Sequence, residues 1–198
     1  MTAASAHARP RRLPRIALLA TGGTIAGAGP DSTAAAYVAG ALRGQALLQA
    51  VPQLAQLAQV QVHELFALDS ADISDAQRLQ LAQRVAALAR QGDVDGIVIT
   101  HGTDTLEETL FFLQQALAAA PDAAAWRHKP LVLTCAMRPA TARLSDGPQN
   151  MADAVALARD AQARGVLLAV AGQVHAADAV QKIHPYQLAA FSSGDAGP

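Results

Sequence analysis

The chain has 198 residues, a formal net charge of −1 and an apolar fraction of 52%. These values are typical of one large folded domain with a sizeable core, and they exclude a disordered chain. The near-zero charge gives no reason to expect nucleic acid or an anionic membrane as a partner. Cys135 is the one cysteine, which excludes an intrachain disulfide and a cysteine-based metal site.

The amino-terminal residues 1–13 are rich in arginine and lack an apolar pattern, so we predict a disordered tail there. The apolar stretch that follows, residues 16–20, is too short for the hydrophobic region of a signal peptide. No stretch reaches the roughly 18 apolar residues that a membrane span requires. The sequence therefore predicts a cytoplasmic protein.

Short apolar runs alternate with longer amphipathic ones along the rest of the chain. The runs predicted as strands cover residues 16–20, 60–68, 96–100, 130–135 and 166–171. Helical spacing of apolar residues predicts helices over residues 75–91, 105–119 and 148–163. This alternation predicts an α/β fold in three α/β/α layers, with a mostly parallel sheet.

Three other segments complete the predicted organisation. Residues 21–40 are rich in Gly, Ala and Ser without periodicity, which predicts a mobile loop after the first strand. Residues 173–181 are expected to form a short β-hairpin. Residues 191–198 have the composition of a linker, so the folded domain is predicted to occupy residues 14–190.

Small polar residues follow several of the predicted strands. Residues 21–26 follow the first strand, Asp69 and Ser70 end the second, and residues 101–105 follow the third. Ligands of open α/β sheets bind beyond the carboxyl ends of the strands, so these residues are expected to converge on one rim. A rim of hydroxyls, glycines and a carboxylate suits acyl transfer through a hydroxyl nucleophile.

Five sequence motifs resemble the asparaginase/glutaminase family. They are ATGGTIAG at residues 20–27, AVPQL at 50–54, ITHGTDTLEET at 99–109, AMRP at 136–139 and DGPQN at 146–150. The first and third motifs are long and specific, and both fall at predicted strand-to-helix turns. The resemblance extends over nearly the whole chain, from about residue 16 to residue 198.

The resemblance implies a set of five catalytic residues. Thr24 corresponds to the nucleophile on the mobile loop, and Tyr37 corresponds to the tyrosine that hydrogen-bonds it. Thr103, Asp104 and Lys182 correspond to the second threonine and its acid–lysine partners. In the family either threonine is a candidate nucleophile, so Thr103 remains the alternative to Thr24.

The resemblance also implies a substrate site. Ser70 and Asp104 correspond to groups that hold the α-carboxylate and α-amino groups of asparagine, and the N–H groups of Thr103 and Ala136 are expected to face the oxyanion. Ala71 stands where many family members have glutamine, which favours asparagine over glutamine as substrate. The family further implies no cofactor, a dimer-of-dimers assembly, and a carboxyl-terminal domain that is absent from this chain.

Two other functions remain open at this level. Gly27 and Gly29 after the first strand suggest a dinucleotide-binding domain, although the G-x-G-x-x-G pattern is absent. A non-catalytic domain is the other alternative. The histidines lack metal-ligand spacing, so no metal is expected; they are His7, His63, His101, His128, His175 and His184.

Several of these residues also have plain structural interpretations. Ser70 taken alone suits a helix N-cap, and Lys182 taken alone suits a solvated surface lysine. Glu107 and Glu108 fall in the first turn of a predicted helix, where carboxylates are favoured by the helix dipole without any catalytic role. Arg138 suits either a substrate contact or a structural ion pair.

Overall fold

The computed structural model describes residues 12–33 and 36–197, in which eight strands and five α-helices are found. The strands are β1 (Arg15–Gly22), β2 (Gln59–Leu68), β3 (Gly96–Thr100), β4 (Leu131–Thr134), β5 (Val166–Val170), β6 (Gln173–Ala176), β7 (Gln181–Lys182) and β8 (Phe191–Ser192). The helices are α1 (Gly44–Gln49), α2 (Leu54–Leu57), α3 (Asp75–Ala89), α4 (Leu106–Ala118) and α5 (Gly147–Ala158). No helix among these residues is long and apolar enough to cross a membrane.

One six-stranded sheet forms the centre of the fold, in the order β2-β1-β3-β4-β5-β6. Strands β1 to β5 pair in parallel, and β6 pairs antiparallel with β5 at the edge. Because the parallel strands share one direction, their carboxyl ends lie on one rim, the carboxyl rim, and their starts lie on the opposite amino rim. The predicted α/β fold with a mostly parallel sheet is confirmed.

The two faces of the sheet have separate apolar cores. Ile16 and Leu18 of β1 pack with α1, α2 and α5, whereas the alternate residues Ala17 and Leu19 pack with α3 and α4. Successive strand residues point to opposite faces, so apolar residues at every position leave β1 buried on both sides. Helices on both faces give the three layers that the sequence predicts.

The predicted and observed elements differ mainly at their ends. Strand β3 has the predicted bounds, and α3 and α4 end within two residues of the prediction. Helix α5 ends at Ala158 rather than at residue 163. The Asp160 carboxylate accepts the Gln162 N–H at 2.8 Å, a local turn that replaces further helical hydrogen bonding. The short helices α1 and α2 were not predicted.

The antiparallel structure near residues 173–181 differs in its pairing from the predicted single hairpin. Strand β6 forms a hairpin with β5, and β7 pairs with β8 in a separate two-stranded sheet. The β5–β6 connection is Ala171–Gly172, with φ angles of 51° and 74°. Two central residues with positive φ are typical of the tight turns that join hairpin strands.

The structure describes part of the predicted tail and most of the predicted linker. Residues 1–11 lie outside the described residues, while Arg12 forms an ion pair with Asp95 at 3.2 Å. Within the predicted linker, Phe191 and Ser192 form β8, and Phe191 is buried in the core. These two residues are therefore part of the folded structure, and a linker beyond them stays a prediction.

Candidate active site at the carboxyl rim

Glycines bring three loops of the carboxyl rim into direct contact. A Cβ added at Gly23 would lie 2.4 Å from the Gly102 Cα, and one added at Gly102 would lie 2.5 Å from the Ser70 Oγ. Gly23 also has a φ of 74°, which disfavours other residues. Because Gly23 and Gly102 immediately precede Thr24 and Thr103, this contact sets the two threonine-bearing turns side by side.

The first threonine is hydrogen-bonded to the tyrosine of its own loop. Thr24 Oγ1 lies 2.9 Å from Tyr37 Oη. The loop is closed by a β-bridge between Ala28 and Val38, with N···O distances of 3.1 and 2.9 Å. Gly27 lies against the Tyr37 ring, where a Cβ would come within 2.7 Å of the ring carbon Cδ2. Tyr37 is therefore held over Thr24 by backbone pairing and by close packing.

The second threonine shares an ammonium group with an aspartate. Lys182 Nζ donates to Thr103 Oγ1 at 2.9 Å and to Asp104 Oδ1 at 2.7 Å. The Lys182 side chain is 21% exposed and that of Asp104 is 55% exposed, so the ion pair lies at the rim with one side open to solvent. The structure thus brings together these three residues from two separate parts of the chain.

Ser70 lies in the loop that follows β2 and is buried against the loop that follows β3. Its Oγ accepts the Asp104 N–H at 3.1 Å, and its carbonyl accepts the Thr105 hydroxyl at 2.8 Å. A hydroxyl that accepts one hydrogen bond still has a proton to donate. Ser70 does not cap α3: that role belongs to Ser74, which forms a reciprocal capping box with Gln77.

Ala136 lies just after β4, in a loop held by the polar side chains of Asp146 and Asn150. Asp146 accepts the N–H groups of Met137 and Arg138 at 2.9 and 3.0 Å. The Asn150 side chain donates to the Cys135 carbonyl at 2.9 Å and accepts the Ala171 N–H at 3.0 Å. The DGPQN motif therefore fixes the backbone on both sides of Ala136.

The Arg138 guanidinium donates to the Leu144 carbonyl at 3.0 Å. Among the ion pairs of the described residues, none involves Arg138. This contact fixes the loop that follows Ala136, and it supports neither of the two roles that the sequence allowed for Arg138.

Burial keeps two potentially reactive groups of the rim neutral. Burial lowers the pKa of His101, opposed in part by its ring hydrogen bond to the Gly102 carbonyl. His101 Nδ1 lies 2.8 Å from that carbonyl oxygen, so the nitrogen carries the proton and the ring shapes the loop. Burial also raises the pKa of the Cys135 thiol far above its usual range, which leaves it unreactive.

Sequence reasoning missed one residue that contacts the site. The Glu107 carboxylate accepts the main-chain N–H of Lys182, across 75 positions of sequence. Glu107 and Glu108 do lie in the first turn of α4, as predicted. Nothing in a helical pattern identifies a hydrogen-bond partner on a distant strand, so no sequence signal distinguished Glu107 from Glu108.

The glycine loop after β1 does not have the form of a dinucleotide site. Residues 24–26 form a single 3₁₀ turn, and the next α-helix begins at Gly44. Dinucleotide-binding loops lead directly into a helix whose N-terminus holds the phosphates. Within residues 12–33 and 36–197, no cluster of three or more His, Cys, Asp or Glu side chains is arranged to hold a metal ion.

A mostly parallel sheet with glycine–threonine turns and a lysine at its carboxyl rim defines an α/β protein with its site at the strand ends. Residues 15–198 match the family model described as asparaginase, N-terminal. The chain belongs to the asparaginase family. It corresponds to the amino-terminal part of that family's proteins.

Relatives and a solved structure agree with this assignment. The chain is 41% identical over 187 residues to the probable periplasmic L-asparaginase of Haemophilus influenzae, covering 93% of this chain and 51% of that protein. It is 42% identical over 185 residues to the glutaminase-asparaginase of Pseudomonas fluorescens biotype A, covering 92% and 49%. The crystal structure of the probable cytoplasmic L-asparaginase from Campylobacter jejuni aligns with a TM-score of 0.85 at 42% identity, covering 93% and 54%. The chain thus spans about half the length of these relatives.

Proposed function

We propose that this chain carries the nucleophilic machinery of an L-asparaginase, which hydrolyses L-asparagine to L-aspartate and ammonia through a threonyl acyl-enzyme. One observation carries the proposal: two threonine-bearing turns touch through Gly23 and Gly102, and each threonine has its own hydrogen-bond partner. Amide hydrolysis by this route needs a nucleophile, a proton path and an oxyanion site.

In the first half-reaction the Thr24 oxygen attacks the side-chain amide carbon of asparagine. Tyr37, 2.9 Å from Thr24 Oγ1, takes the hydroxyl proton while its own proton passes to the departing nitrogen. The carbon–nitrogen bond breaks, ammonia leaves, and an ester to Thr24 remains. The N–H groups of Thr103 and Ala136 stabilise the negative charge that develops on the amide oxygen.

In the second half-reaction water attacks the ester. The hydrogen-bonded set of Thr103, Lys182 and Asp104 takes up the water proton, and a proton returns to Thr24 as the ester bond breaks. Aspartate leaves and the free threonine is restored. Thr103 is the alternative nucleophile, in which case the two threonines exchange roles.

The α-amino and α-carboxylate groups of asparagine are bound by Asp104 and Ser70. A carboxylate suits an ammonium group, and the Ser70 hydroxyl has a proton left to donate to a carboxylate. No cofactor or metal takes part in this scheme.

Covalent trapping tests the scheme directly. The chain is incubated with a reactive asparagine analogue, and peptide mapping locates the added mass. Label on Thr24, absent in Thr24→Val and retained in Thr103→Val, is the expected result. Label on Thr103 reverses the two roles, and label on neither threonine contradicts the proposal.

Ammonia release separates catalysis from the non-catalytic alternative. It is measured for this chain and for a form extended past Pro198. Release by at least one form, lost in Thr24→Val, is expected. A chain that releases no ammonia in either form and is not labelled by the analogue is a non-catalytic member of the family.

Ala71 gives a prediction about substrate choice. A glutamine side chain at position 71 would add an amide near the α-amino and α-carboxylate groups of the substrate. Without that amide, a contact that the longer substrate needs is missing. We expect kcat/KM for asparagine to exceed that for glutamine by at least about tenfold, the effect of one lost contact of about 1.4 kcal/mol. Ala71→Gln should bring the kcat/KM values for the two substrates closer together. Comparable kcat/KM values for asparagine and glutamine in the unmodified protein would contradict the prediction.

The remaining proposals concern the cell and the assembly. We place the protein in the cytoplasm and expect a dimer of dimers, in which sites are completed between subunits. One similar protein is named as cytoplasmic and another as periplasmic, so cell fractionation decides the first point. Sedimentation of the protein with and without residues past Pro198 decides the second.

A further inference from the structure

Lys182 stands on a short piece of structure outside the main sheet. It belongs to the two-residue strand β7, which pairs only with β8 in the described part of the chain. The pairing matches Lys182 with the buried Phe191, and the next N–H, from Ile183, donates to Ala190 at 2.7 Å. A ribbon of this size is marginal by itself, so other contacts must fix where the lysine stands.

Helix α4 supplies that contact. The Glu107 carboxylate, in the first turn of α4, accepts the Lys182 main-chain N–H. The loop just before the same helix supplies Thr103 and Asp104, which accept hydrogen bonds from the Lys182 ammonium group. One helix start therefore holds this lysine at both ends, by its backbone and by its Nζ.

We propose that Glu107 is a positioning residue, which sets where the Lys182 ammonium group stands against Thr103 and Asp104. The inference rests on the proposed function, because it assigns a role within that site. Lysine has four rotatable side-chain bonds, so a displaced backbone leaves many rotamers that miss both acceptors. Anchoring the backbone keeps both acceptors within reach of Nζ before any substrate binds.

Glu108 provides a matched control within the same turn. It carries the same charge and has the same favourable position against the helix dipole as Glu107. Of these two glutamates, only Glu107 forms a hydrogen bond with Lys182 in the part of the chain that the structure describes. A difference between the two positions therefore reports the contact rather than the charge or the helix.

The kinetic test compares Glu107→Ala, Glu107→Gln and Glu108→Ala in whichever form releases ammonia. Glu107→Ala is expected to lower kcat about 10- to 100-fold with KM changed less than about threefold. Glu107→Gln keeps an acceptor oxygen and should restore most of kcat, while Glu108→Ala should stay within about twofold. Rates are divided by the fraction of Thr24 that the analogue labels, which corrects for misfolded protein. Equal losses at both positions, or no loss in Glu107→Ala, would overturn the proposal.

A second test does not depend on turnover. The chain contains only two lysines, so an amine-modifying reagent labels Lys182 and, as an internal reference, Lys129. In Glu107→Ala the labelling ratio of Lys182 to Lys129 should rise several-fold, because Nζ leaves its two acceptors. The ratio should stay unchanged in Glu108→Ala and Glu107→Gln. An unchanged ratio in Glu107→Ala overturns the positioning role, whereas a raised ratio without ammonia release overturns only the proposed function.

Discussion

The two rims of the sheet each contain one of the two lysines, and they use it differently. At the amino rim, Lys129 Nζ donates to the main-chain carbonyls of Ala89 and Gln91, at 2.6 and 2.5 Å. At the carboxyl rim, Lys182 Nζ donates to a hydroxyl and a carboxylate. Carbonyl groups at a helix end neither lose nor gain protons, whereas a hydroxyl and a carboxylate do.

The charged residues near Lys129 also connect segments of the fold. At the amino rim, Arg15 pairs with Asp93 at 2.8 Å, and its N–H donates to Asp95 at 2.8 Å. These contacts join the start of β1 to the loop before β3. Both lysines are thus well bonded, and the two rims differ in the kind of acceptor that the ammonium group faces.

The largest expected effect is on Lys182. Lys182→Met should lower kcat/KM for asparagine by about 10²- to 10⁴-fold, since it removes the cation that joins Thr103 to Asp104. The thermal midpoint should change little, because Asp104 is 55% exposed and remains hydrated without its partner. Steady-state kinetics and a thermal melt measure the two quantities. A decrease in kcat/KM of less than tenfold would contradict a role for Lys182 in the reaction.

Lys129 should show the opposite behaviour. Lys129→Met leaves the carbonyls of Ala89 and Gln91, at and just past the end of α3, without their cation, which should lower the free energy of unfolding by about 1–3 kcal/mol. For a domain of this size that corresponds to a Tm lower by about 2–12 °C. Activity per labelled site should remain within about twofold. A loss of activity without a loss of stability would contradict the structural role, and Lys129→Arg is the control that keeps the charge.

The fold could be predicted from the sequence where the pattern is local. Strand β3 and helix α3 were predicted almost to the residue, because burial on both faces gives β3 a nearly continuous apolar run and burial on one face gives α3 a helical period. The β5–β6 hairpin was missed because its turn is Ala171–Gly172 rather than the usual Asn-Gly or Asp-Gly. Helices α1 and α2, with six and four residues, are too short to show a period.

The candidate site, like the fold, could be predicted from the sequence only in part. Thr24, Thr103 and Asp104 were predicted because they fall in motifs that resemble those of a family, and Tyr37 and Lys182 were predicted from their positions relative to those motifs. The contacts that set their geometry follow from tertiary structure alone. The approach of Gly23 to Gly102 and the bond from Lys182 to Glu107 join segments more than 70 residues apart, and no period in a single sequence encodes such a pair.

The smallest expected effect concerns pH and the buried histidine of the carboxyl rim. Burial lowers the pKa of His101, so the folded protein keeps the ring neutral while the unfolded chain takes up a proton below about pH 6.5. The free energy of unfolding therefore falls as the pH drops below that value, by at most about 2 kcal/mol at pH 5 for one histidine. His101→Asn keeps a donor toward the Gly102 carbonyl and removes the titration, so its stability should change less between pH 7.5 and pH 5 in denaturant unfolding. If His101→Asn kept the full pH dependence of the unmodified protein, the buried ring at the carboxyl rim would not be the source of the acid sensitivity.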